Sequence, residues 1–227
     1  MLKMTQLIGF GAKQESAAAP LTTVSFLASS TSVDSETITL PASIAAGDLI
    51  IVLDAISNDS SPTLVTPSGF TNVTNATSSY MRFASCYKIA DGSEASTSVT
   101  GLLPDPPGGG AKIAAVFRGD VAISSFTPAS INQPSIDNAN PTAQSVTASG
   151  GTPPLIVFGF YVNDYGSGVN PRTFSPTKDG EINESGATYC DLWLAYKIYN
   201  SSPANVTVDM DDEGYGNGIQ SYYGAMT

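Results

Sequence analysis

Gly47-Asp-Leu-Ile-Ile-Val-Leu53, then Pro67-Ser-Gly-Phe-Thr71, then Tyr87-Lys-Ile-Ala-Asp-Gly-Ser-Glu94 decide how this chain is read. The first run is apolar on both faces, as a strand buried on both sides would be. The other two are turn-and-strand punctuation. The pattern returns in a more worn form from Pro154-Leu-Ile-Val-Phe-Gly-Phe160 to Tyr196-Lys-Ile-Tyr199. Four anchors carry the match. Leu49 pairs with Leu155 (155 − 49 = 106), Tyr87 with Tyr196 (109), Val99 with Val206 (107) and Phe117 with Tyr223 (106). A near-constant offset broken by a few residues is what a duplication leaves after loop insertions and deletions. The period is far too long for a solenoid. It fits two similar small domains or one sandwich made from two related halves, and the sequence leaves both open.

Working outward, the arm at residues 1–20 has two glycines, Ala17-Ala-Ala and Pro20, with no clean period. It reads either as a frayed terminus or as an arm that docks on a neighbour through Leu7, Ile8 and Phe10. The first β half covers residues 21–119 and contains the clearest alternating strand, Met81 to Ile89. There Met81, Phe83, Tyr87 and Ile89 take the core side, and Arg82, Ala84, Cys86 and Lys88 the other. Residues 120–142, with Pro128, Pro134 and Pro141, read as a proline-rich junction. The second β half covers 143–227. In it Ser145-Val-Thr-Ala echoes Thr37-Ile-Thr-Leu, residues 163–185 read as a long polar loop, and Cys190, Leu192, Leu194, Tyr196 and Ile198 form the core face. Strands at short spacing with turns between them predict an all-β chain. The expected fold is an antiparallel β-sandwich of jelly-roll or immunoglobulin-like type.

Composition narrows the function. Of 227 residues, 41% are hydrophobic and 13% charged, which is not a disordered composition. The formal net charge of −11 opposes binding to phosphate backbones, so no nucleic-acid partner is expected. The longest apolar runs are strand-sized, so no membrane span is expected. The apolar patch at the N-terminus is too short for a signal peptide, and Lys13 interrupts it. The two cysteines, Cys86 and Cys190, fall on opposite faces in the repeat alignment. Two free thiols are therefore expected, with Cys190 buried.

There is no histidine. That removes Ser-His-Asp and Cys-His nucleophilic sites and histidine-based metal sites. Paired carboxylates are the enzymatic option left, with Asp54 and Asp191 as the acids lying inside strand-like runs. No catalytic residue is assigned. Asp209, Asp211 and Glu213, with Gly214, imitate the opening of a calcium loop. The closing acid is missing, because Gln220 falls in its place, and the bland reading is a solvated acidic loop. No other cofactor is expected. Trp193 and Tyr189 fall on the outward face by alternation. They read either as a contact surface for protein or sugar, or as residues that another strand covers.

The three quoted motifs resemble a module of virion structural proteins of tailed bacteriophages. The resemblance covers the first half, and reaches the second only through the repeat. It implies a structural or adhesive role on the virion, with no catalytic residues to carry over. The expected function is that of a non-enzymatic capsid decoration (cement) protein. It would contact the major capsid protein or other virion proteins through its arm, as a homo-oligomer such as a trimer. The alternative is a tail or fibre component that binds host surface glycans through the outer aromatics and the loops at 57–66 and 163–185.

Overall fold

The structure, a computed structural model, describes residues 19–57, 65–77, 81–100, 102, 110–129, 135–136, 144–148, 153–164, 172–175, 177–185, 190–201, 206–212 and 217–227. Among the described residues there is no helix, and hence none long and apolar enough to cross a membrane. Every strand pairing among the described residues is antiparallel. The all-β antiparallel sandwich expected from the sequence is the observed architecture.

The first half contributes β1 (Val24–Val33), β2 (Thr37–Thr39), β3 (Leu49–Ser57), β4 (Thr71–Thr77), β5 (Met81–Ile89), β6 (Ser98–Thr100) and β7 (Gly110–Gly119). The rest of the chain contributes β8 (Phe126–Ala129), β9 (Ser135–Ile136), β10 (Gln144–Ala148), β11 (Leu155–Asp164), β12 (Arg172–Ser175), β13 (Gly180–Glu184), β14 (Cys190–Tyr199), β15 (Val206–Asp212) and β16 (Asn217–Met226). One large sheet runs β1-β7-β3-β5-β4. The other runs β8-β16-β11-β14-β13, with β9 added on β16. Strand for strand this is one order used twice. The small sheets repeat as well: β2 pairs β6 in the first half, and β10 pairs β15 in the second, where β12 extends the sheet.

Hydrogen-bond register sharpens the duplication and corrects its alignment. Leu49 stands opposite Ile89 and Phe117, and Ile156 opposite Ile198 and Gly224. Leu49 and Ile156 both enter the central core, whereas Leu155 faces the other way. The true match is therefore Leu49 with Ile156 (156 − 49 = 107), not Leu155, and Phe117 matches Gly224, not Tyr223. Because side chains alternate with period two, a slip of one residue exchanges the faces of a strand. Tyr87 with Tyr196 stands. Ile38 is opposite Val99, and Val146 opposite Val208, so Val99 matches Val208, not Val206.

The junction and the polar loop also differ from expectation. β8 lies inside residues 120–142 and takes the place that β1 holds in the first half. Pro128 hid it. A proline is tolerated here because β8 is an edge strand, where the missing N–H costs no ladder bond. Residues 163–185 contain β12 and β13. Their polarity fits edge strands, which are exposed on one side.

The two large sheets face each other across one core. Leu49, Ile51, Leu53, Phe83 and Phe117 meet Ile156, Phe158, Phe160, Leu194 and Tyr196 there. Ring contacts bridge the halves: Phe117 with Phe158 and Tyr196, Phe83 with Phe160, and Tyr87 with Phe126. Each such pair adds roughly 0.5–1.5 kcal/mol beyond area burial. The first half has a second core on its outer face, where Ile50, Val52, Ile56, Ala84, Cys86, Ala114 and Val116 pack under Ile38, Leu40, Val99 and Leu102. This explains why Leu49–Leu53 is apolar on both sides, and why Ala84 and Cys86 on the second face of β5 are also buried, between the half-buried Arg82 and Lys88.

Candidate functional site

The turn motifs meet at one place. Pro67-Ser68-Gly69 turns the chain into β4, with Phe70 N–H donating to Pro67 O at 3.0 Å and Gly69 at φ +78°. A side chain at Gly69 would run into the Lys88 ammonium, which lies over the turn. Lys88 reaches from the end of β5 to Glu94 at 2.5 Å and Asp91 at 3.2 Å. Glu94 is 5% exposed and accepts the backbone N–H groups of Asp91 and Gly92. Asp91 accepts the N–H of Ser93 at 3.0 Å, and Gly92 supplies φ +98°. Asp-Gly-Ser-Glu is thus a self-satisfied turn built around one buried carboxylate.

Its electrostatics follow from those bonds. Burial pushes the Glu94 carboxyl up, but the Lys88 ammonium and the backbone N–H donors more than reverse this, and it titrates below its usual value. The Glu94 bond holds the Lys88 ammonium above its usual value, against the effect of burial. The Ser93 contacts bring Asp91 down to about 2.

A groove of about 490 Å³ opens beside this turn. Leu40, Val65, Pro67, Phe70 and Val99 supply its apolar wall. Thr66, Ser68, Ser93, Thr97, Ser98 and Thr100 supply hydroxyls, and Lys88 and Glu94 the charge. Such a surface suits a small polar ligand with one apolar face.

The residues singled out from sequence lie elsewhere. Trp193 is not outward and free. It is 3% exposed, donates its indole N–H to Glu181 at 2.9 Å, and carries Lys178 5.5 Å from its ring centroid. β13, read as loop, pairs beside β14 and brings Glu181 there, so Trp193 is closed in by its neighbours rather than presented as a free contact surface. Asp54 and Asp191 are both buried, but on the outer faces of different large sheets, with the central core between them. They share no cleft, so the paired-carboxylate reading fails on geometry. Asp209 and Asp211 lie within β15, opposite Ser145 and β12, not on a turn. An extended ladder does not gather oxygens round an ion as a tight loop does. Among the described residues no three acidic, cysteine or histidine side chains cluster closely enough to hold a metal. Leu7, Ile8, Phe10, Tyr189 and Glu213 lie outside the described residues.

Sequence reasoning missed the groove, although both motifs that build it were quoted. It missed the buried pair of Lys112 and Asp54 as well, because a lysine inside Ala-Lys-Ile-Ala reads as a solvent-facing residue.

No protein-family model matches the chain, and neither a curated protein nor a solved structure does.

Proposed function

We propose that the chain is a non-enzymatic structural protein of a tailed-phage virion, acting as a capsid decoration or cement protein. The observation that carries the reading is the duplicated body. Two copies of one strand order share a single aromatic core, which gives one block, with the two turn motifs of the phage resemblance meeting beside one groove. A block that binds only the assembled shell stabilises the shell by mass action. The arm at residues 1–20 would tie the block to the major capsid protein or to neighbouring copies, in a homo-oligomer such as a trimer. Immunogold labelling of intact particles tests this. Gold over the heads is the expected result, and deletion of residues 1–20 should then weaken shell binding. Unlabelled particles would overturn the virion reading.

The groove favours a second reading, a tail or fibre component that binds host glycans. Sugars present hydroxyl edges and apolar faces, which the Ser and Thr hydroxyls and Phe70 would meet. Gold confined to the tail, with glycan binding lost in Phe70→Ala, would select it.

A further inference from the structure

We propose that Lys112 and Asp54 form an intramolecular isopeptide bond that covalently joins β7 to β3. This inference does not depend on the proposed function.

The two residues are direct cross-strand partners in register. The Lys112 ammonium nitrogen stands 3.4 Å from a carboxylate oxygen of Asp54, and both side chains are fully buried. On the same face Val52, Ile56, Ala84 and Ala114 of the outer apolar core are their neighbours, and Ser32 of β1, whose hydroxyl donates to the Thr37 carbonyl, is the other cross-strand partner of Lys112. The amine is thus held beside the carboxylate, with both side chains closed off from solvent.

The duplication makes the pair more telling. In the second copy the same register position is filled by Tyr161 opposite Ile219 (161 − 54 = 107 and 219 − 112 = 107). The fold therefore holds this cross-strand position without charges. Burying an amine and an acid there costs desolvation that an apolar pair avoids. A covalent product removes both charges and accounts for their presence.

The chemistry balances with these groups alone. A proton passes from the Lys112 ammonium to the Asp54 carboxylate, giving a neutral amine and a neutral acid. An apolar surround favours that exchange because it penalises separate charges. The amine lone pair attacks Cγ and the Nζ–Cγ bond forms. The Cγ–O bond breaks, and the hydroxyl leaves with a proton from nitrogen as water. Nothing is oxidised or reduced. Fixed proximity supplies the entropic advantage of an intramolecular reaction. Cys86, on the same face, does not compete as a nucleophile, since burial first and the Asp54 charge second keep it a thiol.

Intact mass spectrometry of the purified full chain tests the bond. The expected mass, after allowing for the initiator methionine, is one water below the sequence mass. Proteolysis should yield a branched peptide joining Lys112 to Asp54. Lys112→Met and Asp54→Ala should each restore the full mass of their sequences. A cyclic imide at Asp91-Gly92 or Asp179-Gly180 would lose the same water, but would survive Lys112→Met. A wild-type chain at full mass overturns the proposal. So does a water loss that persists in Lys112→Met, or the absence of the branched peptide.

Discussion

Asn200 takes both backbone polar groups of Val24: its side-chain oxygen accepts the Val24 N–H at 2.8 Å, and its amide donates to the Val24 carbonyl at 3.1 Å. Val24 opens β1 in the first half, and Asn200 follows β14 in the second. Asn200 holds the position that Asp91 holds in the first copy (200 − 91 = 109). There Asp91 serves its own turn, whereas Asn200 reaches across to the other half. The two copies have diverged so that one of them clasps its sister.

The clasp makes a prediction about cooperativity. Asn200→Ala leaves the Val24 backbone groups unpaired in a nearly buried place and should cost about 1–2 kcal/mol. Because both halves share one core, that loss should appear in a single denaturant transition. Trp193 fluorescence reports on the second half and Cys86 labelling on the first. Coincident midpoints for both probes are expected, and two separate transitions would contradict a shared core.

Gly47 and Gly92 give a contrast within one fold. Both have positive φ, +85° and +98°. A Cβ on Gly47 would lie 2.4 Å from the Ala122 Cβ and 2.7 Å from its Cα, which cannot move without the backbone. A Cβ on Gly92 would meet Ala46 at an ordinary 3.5 Å. Gly92→Ala should therefore cost only the left-handed strain, about 1–2 kcal/mol. Gly47→Ala adds a clash with fixed backbone and should cost clearly more. Thermal melts of the two variants check the order, and equal losses would refute it.

The same glycine shows how much was legible in the sequence. Gly-Asp after Ile44-Ala-Ala announces a turn, and the turn is there. The two faces of β5 and the core face of β14 were readable, because alternation is a strong signal. The alignment slipped by one at Leu155 because Leu155 and Ile156 are both apolar. A strand buried on both sides gives no contrast from which to fix register. Trp193 was left open between two readings for a related reason. Alternation tells which side a residue faces but not what closes that side, and β13, which brings Glu181 to the indole, is polar enough to read as loop. The groove needed two motifs, distant in sequence, to be brought together by β4 pairing with β5.

Acid should loosen the start of β1. The Asp120 carboxylate accepts the Thr22 hydroxyl and the backbone N–H groups of Thr22 and Thr23, and these contacts lower its pKa from 3.8 to about 2. A folded-state pKa below the unfolded one means that the native state binds protons less readily. The stabilisation is complete above 3.8 and fades as pH falls through about 2. Asp120→Asn should be less stable at neutral pH and lose less on acidification across this window. Parallel acid dependence in the variant and the wild type would rule Asp120 out as the responsible group.

The two thiols should be silent in the native protein. Cys190 enters the central core from β14, while Cys86 points from β5 into the outer core, so a layer of sheet separates them. That separation forbids a disulfide without unfolding. Burial, and then the Asp54 charge, push the Cys86 thiol up, so the reactive thiolate is scarce at neutral pH. A thiol reagent should label neither cysteine in the folded chain and both after denaturation. The mobility on a non-reducing gel should match the reduced chain. A native-state shift abolished by Cys86→Ser would overturn the assignment of Cys86 to a closed outer core, and with it the two-sided burial of β5.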